Sequence, residues 1–231
     1  MVTTIKLIAN EGFEVCSGDV CFYVDAFFDG IPGLVKASDW LPARPAQAIL
    51  ATHSHWDHFD PALVAEAARR TGAAVVGPAK VMRSMRKLLP PERLVELEPP
   101  RAAGDEPAAA VSARVGPLAV TAFRTFHGQD HNSYLVELPG LRLFHDGDNE
   151  DTRRITPERL GRLDVLMIAP WQGSGWAGFI EALAPRRWFM MHLDADELAR
   201  HERGQYLGEL CGRVPCPEAL VVLRPRQAYE L

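Results

Sequence analysis

The feature that constrains this chain most is a dense run of metal-binding side chains directly after a short apolar stretch. Residues 48–51 are Ala-Ile-Leu-Ala, which is typical of a buried strand. His53, His55, Asp57 and His58 then fall within six positions. Because residues two apart on an extended chain point the same way, His53 and His55 can converge on one point. The stretch therefore predicts a strand that ends at a metal site.

The chain must turn just beyond this run, because Asp60 and Pro61 are a typical N-cap and first-turn pair. They begin a helix that we predict over residues 62–70. Asp57 and His58 then lie on the turn, where they can face a second point close to the first. Imidazole and carboxylate groups at this density suit zinc, or another borderline divalent metal such as manganese or iron.

Length and composition allow a large core and argue against several kinds of partner. The chain has 231 residues, 47% of them hydrophobic, and we expect a single domain over residues 1–231. The net charge is −5 with no basic stripe, which disfavours nucleic acid as the main partner. Residues 1–10 do not resemble a signal peptide, and no apolar run is long enough to span a bilayer. We therefore expect a cytoplasmic protein whose partner is a small-molecule substrate and not a membrane.

The four cysteines occur as two close pairs, Cys16 with Cys21 and Cys211 with Cys216. The turn at residues 17–19 lets the first pair face each other across a hairpin. In a cytosolic chain of this size we expect reduced structural thiols. A zinc site built from the four thiols is the alternative, although their spacing is not that of C-x-x-C motifs.

Strands and helices alternate along the rest of the chain, and the same mixed pattern occurs twice. The predicted strands lie at residues 5–9, 13–16, 20–25, 48–51, 73–77, 93–98, 119–123, 133–138, 141–144, 163–169, 187–191 and 219–223. The predicted helices lie at residues 62–70, 79–89, 155–162 and 194–210, with a further helix ending at residue 184. Residues 30–45 are predicted to form a loop. This order indicates an α/β fold in which helices cover a sandwich of two sheets.

Every further candidate metal ligand falls just after a predicted strand. His127, Asp148 and His192 each follow a different strand in the second half of the chain. Loops at one rim of a sandwich are where a rigid scaffold places reactive groups. Four separate segments therefore supply candidate ligands for the same edge.

These stretches resemble the metallo-β-lactamase fold superfamily over nearly the whole chain. Within it, the likeness is to the branch that includes L-ascorbate-6-phosphate lactonase and N-acyl-phosphatidylethanolamine phospholipase D. The His-x-His-x-Asp-His element is highly specific to the superfamily, whereas the Gly-Asp and terminal His elements are weak alone. The matching stretches are residues 8–13, 24–25, 52–58, 126–127, 144–149 and 190–192.

The resemblance implies a four-layer αββα sandwich with a dinuclear metal site at its upper edge. By this likeness, one ion would be bound by His53, His55 and His127, the other by Asp57, His58 and His192, and Asp148 would bridge the two. Asp148 is preferred to Asp146 because the family ligand directly follows glycine. His127 is preferred to His131 because it lies at the end of a strand.

The chemistry that follows is hydrolysis. A pair of ions lowers the pKa of a shared water from about 15.7 towards about 7 and polarises the oxygen that gains charge on attack. Asp57 is the group that we expect to orient the nucleophile and accept its proton. Asp25 is the candidate to hold a ligand histidine from behind. The predicted activity is hydrolysis of a small-molecule lactone, ester, amide or phosphodiester, with two zinc ions as the first choice and manganese or iron as alternatives.

The substrate pocket is less clearly indicated. Trp56, Trp171 and Trp176 are candidates for an apolar or stacking wall, with core packing as an equal alternative for each. His131 and Asn132 are candidates for lining the pocket or stabilising charge. No arginine cluster stands out near the ligand loops, so the sequence predicts no phosphate-binding group. The isolated arginines that remain candidates are Arg124 and Arg153.

Two other functions compete with the hydrolase. The superfamily also contains iron-dependent oxidoreductases and dioxygenases, which the same ligands would suit. The third alternative is a non-catalytic protein that binds a metal or a partner on a hydrolase scaffold. Metal content distinguishes the hydrolase from the iron-dependent enzyme. Biological activity that is retained after alanine replacement of Asp57 would favour the non-catalytic protein.

Overall fold

The computed structural model describes residues 2–30, 42, 44–104, 106–170 and 175–231. Most of the predicted loop at residues 30–45 lies outside them, as does Trp171, one of the tryptophans predicted to line the pocket. Within the described ranges, no helix is both long enough and apolar enough to cross a membrane.

The first sheet joins an antiparallel half to a parallel half. Short turns connect its first three strands, so these run antiparallel, whereas longer connections make the next three parallel to the third. In chain order the strands are β1 (Thr3–Ala9), β2 (Gly12–Ser17), β3 (Val20–Val24), β4 (Ala48–Leu50), β5 (Ala74–Gly77) and β6 (Leu94–Glu96).

The second sheet repeats this pattern. Its strands are β7 (Ala110–Val115), β8 (Leu118–Arg124), β9 (Asn132–Leu138), β10 (Leu141–His145), β11 (Val165–Ile168), β12 (Arg187–Met190) and β13 (Leu220–Val222). The strands from β7 to β10 pair antiparallel, and those from β10 to β13 pair parallel. A last strand, β14 (Ala228–Glu230), returns to the first sheet and pairs with β1.

Helices cover the outer face of each sheet and complete four layers. The first sheet carries α1 (Pro61–Thr71) and α2 (Ala79–Met85), and the second carries α3 (Pro157–Leu160), α4 (Trp176–Leu183), α5 (Ala195–Glu202) and α6 (Tyr206–Cys211). Because side chains alternate along a strand, one face of each sheet fills the core between the sheets and the other packs on helices. On β3, Phe22 lies between the sheets and Tyr23 lies towards α1. The predicted αββα sandwich is confirmed.

Two edge strands were missed by the sequence prediction. In β7, polar Ser112 and Arg114 alternate with small apolar residues, and most of its side chains are partly or fully exposed. β14 has only three residues. An edge strand buries too little surface to leave a strong apolar pattern, so both resemble loop in sequence.

Three predicted helices are shorter than expected. The helix predicted over residues 194–210 is two helices, α5 and α6, because Gly204 adopts a left-handed φ of +71° between them. The helix predicted over residues 155–162 reduces to α3, which Pro157 begins and Gly161 (φ +60°) ends. α2 ends at Met85, and a turn follows it that brings Leu89 into the core.

The first cysteine pair differs from the expectation of reduced thiols. Cys16 and Cys21 lie directly opposite each other on β2 and β3, with Cα atoms 4.1 Å apart, and the structure joins them by a disulfide. We expected reduced thiols from the size and predicted compartment of the chain. The hairpin brings the two sulfurs within bonding reach whatever the compartment. In the other pair, Cys216 is not in a disulfide, and the side chain of Cys211 lies outside the described part.

Buried polar side chains of β9 tie the second sheet to the first. The hydroxyl of Tyr134 donates to the carbonyl of Ala51 (2.9 Å), and the amide Nδ2 of Asn132 donates to the carbonyl of Leu97 (2.8 Å). The backbone N–H of Asn132 also donates to the carbonyl of Thr52 (2.9 Å). These bonds fix the start of the loop that carries the metal-binding stretch.

We expect Tyr134→Phe to lower the free energy of unfolding by about 1–3 kcal/mol, because the buried carbonyl of Ala51 loses its donor. Urea unfolding of the two proteins measures the difference. Tyr206→Phe is the matched control, since the hydroxyl of this buried tyrosine donates to Glu197, whose partly exposed carboxylate can bind water instead. That control should change stability by less than about 0.5 kcal/mol. Equal stability of Tyr134→Phe and the wild type would contradict the sheet-to-sheet bond.

Candidate metal centre

Loops at one rim of both sheets bring the predicted ligands together. The metal-binding stretch follows β4, and His127, Asp148 and His192 follow β8, β10 and β12. The backbone N–H of His192 donates to the carbonyl of Asn10 (3.1 Å), in the turn between β1 and β2. The rims of the two sheets are thereby joined at the site.

The metal-binding stretch turns as its sequence predicts. The N–H groups of His58 and Phe59 both donate to the carbonyl of His55 (3.2 and 2.9 Å). These two bonds reverse the direction of the chain between His55 and His58. The carboxylate of Asp60 then accepts from the first backbone N–H groups of α1. The predicted N-cap is confirmed, and the turn leaves Asp57 and His58 beside the strand end.

The first ligand group contains His53, His55, His127 and Asp148, whose ligand atoms all lie within 4.8 Å of one another. The Nε2 atom of His127 is 3.2 Å from Nδ1 of His55 and 3.3 Å from Oδ2 of Asp148. The Nε2 atom of His53 is 3.8 Å from the same carboxylate oxygen. Three imidazoles and one carboxylate therefore face a common point.

The second group contains Asp57, His58 and His192. The Oδ2 atom of Asp57 is 3.6 Å from Nε2 of His58 and 3.7 Å from Nε2 of His192. Asp148 reaches this group as well, with Oδ2 at 3.4 Å from His58 and Oδ1 at 3.4 Å from His192. The carboxylate of Asp148 thus faces both groups at once.

These separations fit tetrahedral coordination. Metal–ligand distances of about 2.0–2.2 Å place two ligands of a tetrahedral ion about 3.3–3.6 Å apart. The distances within both groups fall in or near this range. Among the buried atoms here, Nε2 of His53, Nε2 of His58 and Oδ1 of Asp148 make no hydrogen bond within the described part of the chain. Buried polar atoms normally have a partner, and a cation is the partner that suits these.

An oxygen holds the far side of the imidazoles of His53 and His127. Nδ1 of His127 contacts Oε1 of Glu150 (2.8 Å), and Nδ1 of His53 contacts the hydroxyl of Thr52 (2.9 Å). That hydroxyl donates in turn to Asp25 (2.5 Å). If Nδ1 carries the proton in both imidazoles, the lone pair of Nε2 faces the site. This is the tautomer that can bind a metal through Nε2.

His58 lies among four carboxylates. Its Nδ1 atom contacts Glu11 (2.9 Å) and Asp25 (3.3 Å), and its Nε2 atom faces Asp57 and Asp148. Burial alone would lower the pKa of His58, yet these carboxylates raise it well above its usual value. His53 and His55 show the opposite, because burial and then neighbouring imidazoles lower the pKa of each. The site therefore has an excess of negative charge that a divalent cation would balance.

Asp146, the alternative to Asp148, does not face the histidines. Its Oδ1 atom accepts from the hydroxyl of Ser133 (3.1 Å) and from the amide of Asn149 (3.0 Å). Gly147 lies between the two aspartates with φ +60°, and a β-carbon there would lie 2.5 Å from Nε2 of His131. The glycine therefore allows the tight turn that aims Asp148 at the site.

The predicted pocket residues differ in how far they are exposed. His131 and Asn132 are buried, so neither lines an open pocket. Nδ1 of His131 contacts the hydroxyl of Thr125 (2.7 Å), and its Nε2 accepts from the backbone N–H of Asp148 (2.9 Å). His131 thus supports Asp148 from behind. Trp56 is 64% exposed beside the metal-binding stretch.

Two carboxylates that contact ligand histidines were not predicted. Glu11 is fully buried behind His58, and burial raises its pKa well above the usual value. Glu150 holds His127. The position of Glu11, an acidic residue between an apolar strand and a glycine, was the available indication. Glu150 belongs to a polar loop with several acidic residues, and nothing in its pattern distinguishes it.

The buried neutral state of His131 makes stability depend on pH. Burial lowers its pKa to about 3, against about 6.5 in an unfolded chain. The contribution of His131 to stability is complete above pH 6.5 and is lost as the pH falls towards 3, by up to about 1.4 kcal/mol per pH unit.

In the presence of a chelator, we expect His131→Gln to be less stable than the wild type at pH 7 and the difference to narrow between pH 6.5 and 3. Urea unfolding of both proteins at several pH values measures this difference in stability. A stability difference that stays constant across this range would show that His131 does not remain neutral in the fold.

Comparisons with known proteins agree with this architecture. The family model described as a beta-lactamase superfamily domain matches residues 21–201. A protein of Nitratidesulfovibrio vulgaris (strain DP4), named a metal-dependent hydrolase, is 29% identical over 176 residues, which cover 73% of this chain and 67% of the relative.

Solved structures share the fold at low sequence identity. Igni18, described as a novel metallo hydrolase from Ignicoccus hospitalis, has a TM-score of 0.69 at 16% identity, over 100% of this chain and 99% of its own. CmlA, a diiron β-hydroxylase from Streptomyces venezuelae, has a TM-score of 0.65 at 14% identity, over 99% of this chain and 54% of its own. The family model covers well over half of the chain, and the chain therefore belongs to the beta-lactamase superfamily, with the metallo-β-lactamase fold.

Proposed function

We propose that this protein is a metal-dependent hydrolase of a small molecule. The observation that carries the proposal is the pair of ligand groups that share the carboxylate of Asp148. The relative in Nitratidesulfovibrio vulgaris, named a metal-dependent hydrolase, supports the same activity. The finer likeness to the lactonase and phospholipase D branch stays a prediction.

The donor set favours two borderline divalent ions. The first group offers three imidazoles and the second offers two imidazoles and a carboxylate, with Asp148 between them. Nitrogen and carboxylate donors suit zinc, and also manganese or iron. We take two zinc ions as the first choice. Bound there, they would supply a nucleophile at neutral pH and polarise the oxygen that gains charge.

Asp57 is the residue that we assign to the proton. Contacts with His58 outweigh burial and hold the pKa of Asp57 below its usual value, so its carboxylate is ionised at neutral pH. Its Oδ2 atom faces His58 and His192, and its side chain is 20% exposed at the mouth of the site. An ionised carboxylate in this place can orient the attacking group and accept its proton. The carbonyl or phosphorus centre of a lactone, ester, amide or phosphodiester would lie beside it.

Removing a ligand should remove metal. We expect His55→Ala to lose about one of two bound ions and nearly all hydrolysis while keeping its fold, because the first group then retains only three of its four ligands. Elemental mass spectrometry on protein purified without chelator measures the metal. The control is His201→Ala, a histidine in the last turn of α5 that belongs to neither ligand group. Full metal occupancy in His55→Ala would refute the assignment, and iron in place of zinc would favour the oxidoreductase alternative.

Asp57→Asn should separate the chemical role of this side chain from its role as a ligand. The amide oxygen still faces His58 and His192, but it cannot accept the proton, so we expect kcat to fall about 10²–10⁴-fold with KM less affected. Asp196→Asn, an exposed change in the first turn of α5, should leave both unchanged. Hydrolysis of a panel of lactones, esters and phosphodiesters provides the assay. Unchanged turnover in metal-loaded Asp57→Asn would exclude Asp57 as the base.

A further inference from the structure

A cavity of about 230 Å³ lies beside the loop that carries His127. Its wall is formed by the loop after β8 together with residues from two other segments. The residues that line it are Arg101, Ala102, Gly104, Arg124, Thr125, Phe126, Gly128 and Arg154. Three of them are arginines, and none of the described residues that line it is acidic.

The cavity adjoins the metal centre through this loop. Gly128 follows His127 directly, and a β-carbon on Gly128 would lie 3.7 Å from Nε2 of His55. Thr125 contacts His131, which in turn accepts from the backbone of Asp148. A molecule in the cavity therefore touches the same short segment that supplies and supports the first ligand group.

Two of the arginines are held in place by the loop itself. Nη2 of Arg101 donates to the carbonyl of Gln129 (2.7 Å), and Nη2 of Arg124 donates to the same carbonyl. Nη1 of Arg124 also pairs with Glu98 (2.6 Å). A guanidinium has five N–H donors, so these contacts leave donors of both side chains for a ligand.

The third arginine combines charge with an aromatic surface. The guanidinium of Arg154 lies 5.8 Å from the ring centre of Phe126, and its Nε is 3.5 Å from Asp151. Phe126 is 56% exposed, although large aromatic side chains are usually buried. Asp151 also contacts Arg153 (2.7 Å), so one carboxylate is shared by these two neighbouring arginines.

We propose that the substrate carries an anionic group, a carboxylate or a phosphate, that binds in this arginine cavity while the bond to be hydrolysed lies at the metal centre. The proposal rests on the hydrolase function and narrows its substrate class. Guanidinium groups bind both kinds of anion by charge-assisted hydrogen bonds, and Phe126 offers a surface for an apolar or ring-shaped part of the same molecule.

Of the two arginines that the sequence left as candidates, Arg124 lines this cavity. Arg101, Arg124 and Arg154 lie far apart in sequence, and only the fold gathers them. Arg153, which the sequence offered as a candidate, lines a neighbouring hollow and not this cavity.

Binding of benzenesulfonate to the zinc-loaded protein tests the proposal. A sulfonate is a poor zinc ligand, and methyl phenyl sulfone is its neutral counterpart. Isothermal titration gives the affinities, and amide shifts of Phe126 and Gly128 in NMR spectra report the place of binding. We expect the sulfone to bind at least about tenfold more weakly than the sulfonate, which is the loss of one charge-assisted hydrogen bond.

Arginine variants locate the anion. Arg101→Met and Arg154→Met should each weaken benzenesulfonate binding about tenfold. Arg153→Met removes the same charge from the neighbouring position and should change the affinity for benzenesulfonate by less than about twofold. The two test variants come from separate segments, so a folding defect in one leaves the other informative. Parallel titrations with benzoate, which is planar, and benzenesulfonate, which is tetrahedral, indicate which of a carboxylate and a phosphate is preferred.

Equal binding of sulfonate and sulfone, or wild-type affinity in both test variants, would overturn the cavity assignment. This readout does not require turnover. The protein could instead bind the anion through these arginines but hold no metal and hydrolyse no substrate. That outcome would support the cavity assignment and reject the hydrolase function.

Discussion

The structure depends on how negative charge is accommodated at one rim of the sandwich. Glu11, Asp25, Asp57 and Asp148 all lie within contact distance of the single imidazole of His58. An ionised group that leaves water without a partner is strongly destabilising, so these side chains can share one region only with compensating partners. Hydrogen bonds from the backbone and hydroxyl of Thr52 serve Asp25, and the histidines serve the rest. A metal ion bound among these groups would complete the balance, which is why this rim suits a metal-dependent hydrolase.

The sequence predicted the parts of this arrangement that are local in the chain. The alternation of apolar strands and helices gave the layers, because burial on both faces of a central strand leaves a continuous apolar run, as in residues 48–51. The metal-binding stretch was evident because its four candidate ligands fall within six positions, and Asp60 marked where α1 begins. Dense spacing and a helix cap are features that need no knowledge of the rest of the fold.

What the sequence did not predict arises from contacts between distant segments. Glu11 acquires its role only because the turn after β1 packs on His58, and the arginine cavity forms only when three segments meet. Edge strand β7 carries too few buried side chains to be recognised, and the break at Gly204 depends on a backbone angle that glycine permits but does not require. Length, exposure and tertiary packing decide these features, and none of them is encoded in a short window of residues.

The disulfide between Cys16 and Cys21 encloses only the four residues of a tight hairpin. A cross-link stabilises a fold mainly by limiting the unfolded chain, and this effect is smaller than the ~3 kcal/mol given by a loop of 15 residues. The ladder between β2 and β3 already fixes the same residues in register. Opening the bond would therefore remove little structure, and the hairpin could pass between oxidising and reducing surroundings without disturbing the rim on the far side of the sheet. Redox tolerance is thus built into the position of the bond.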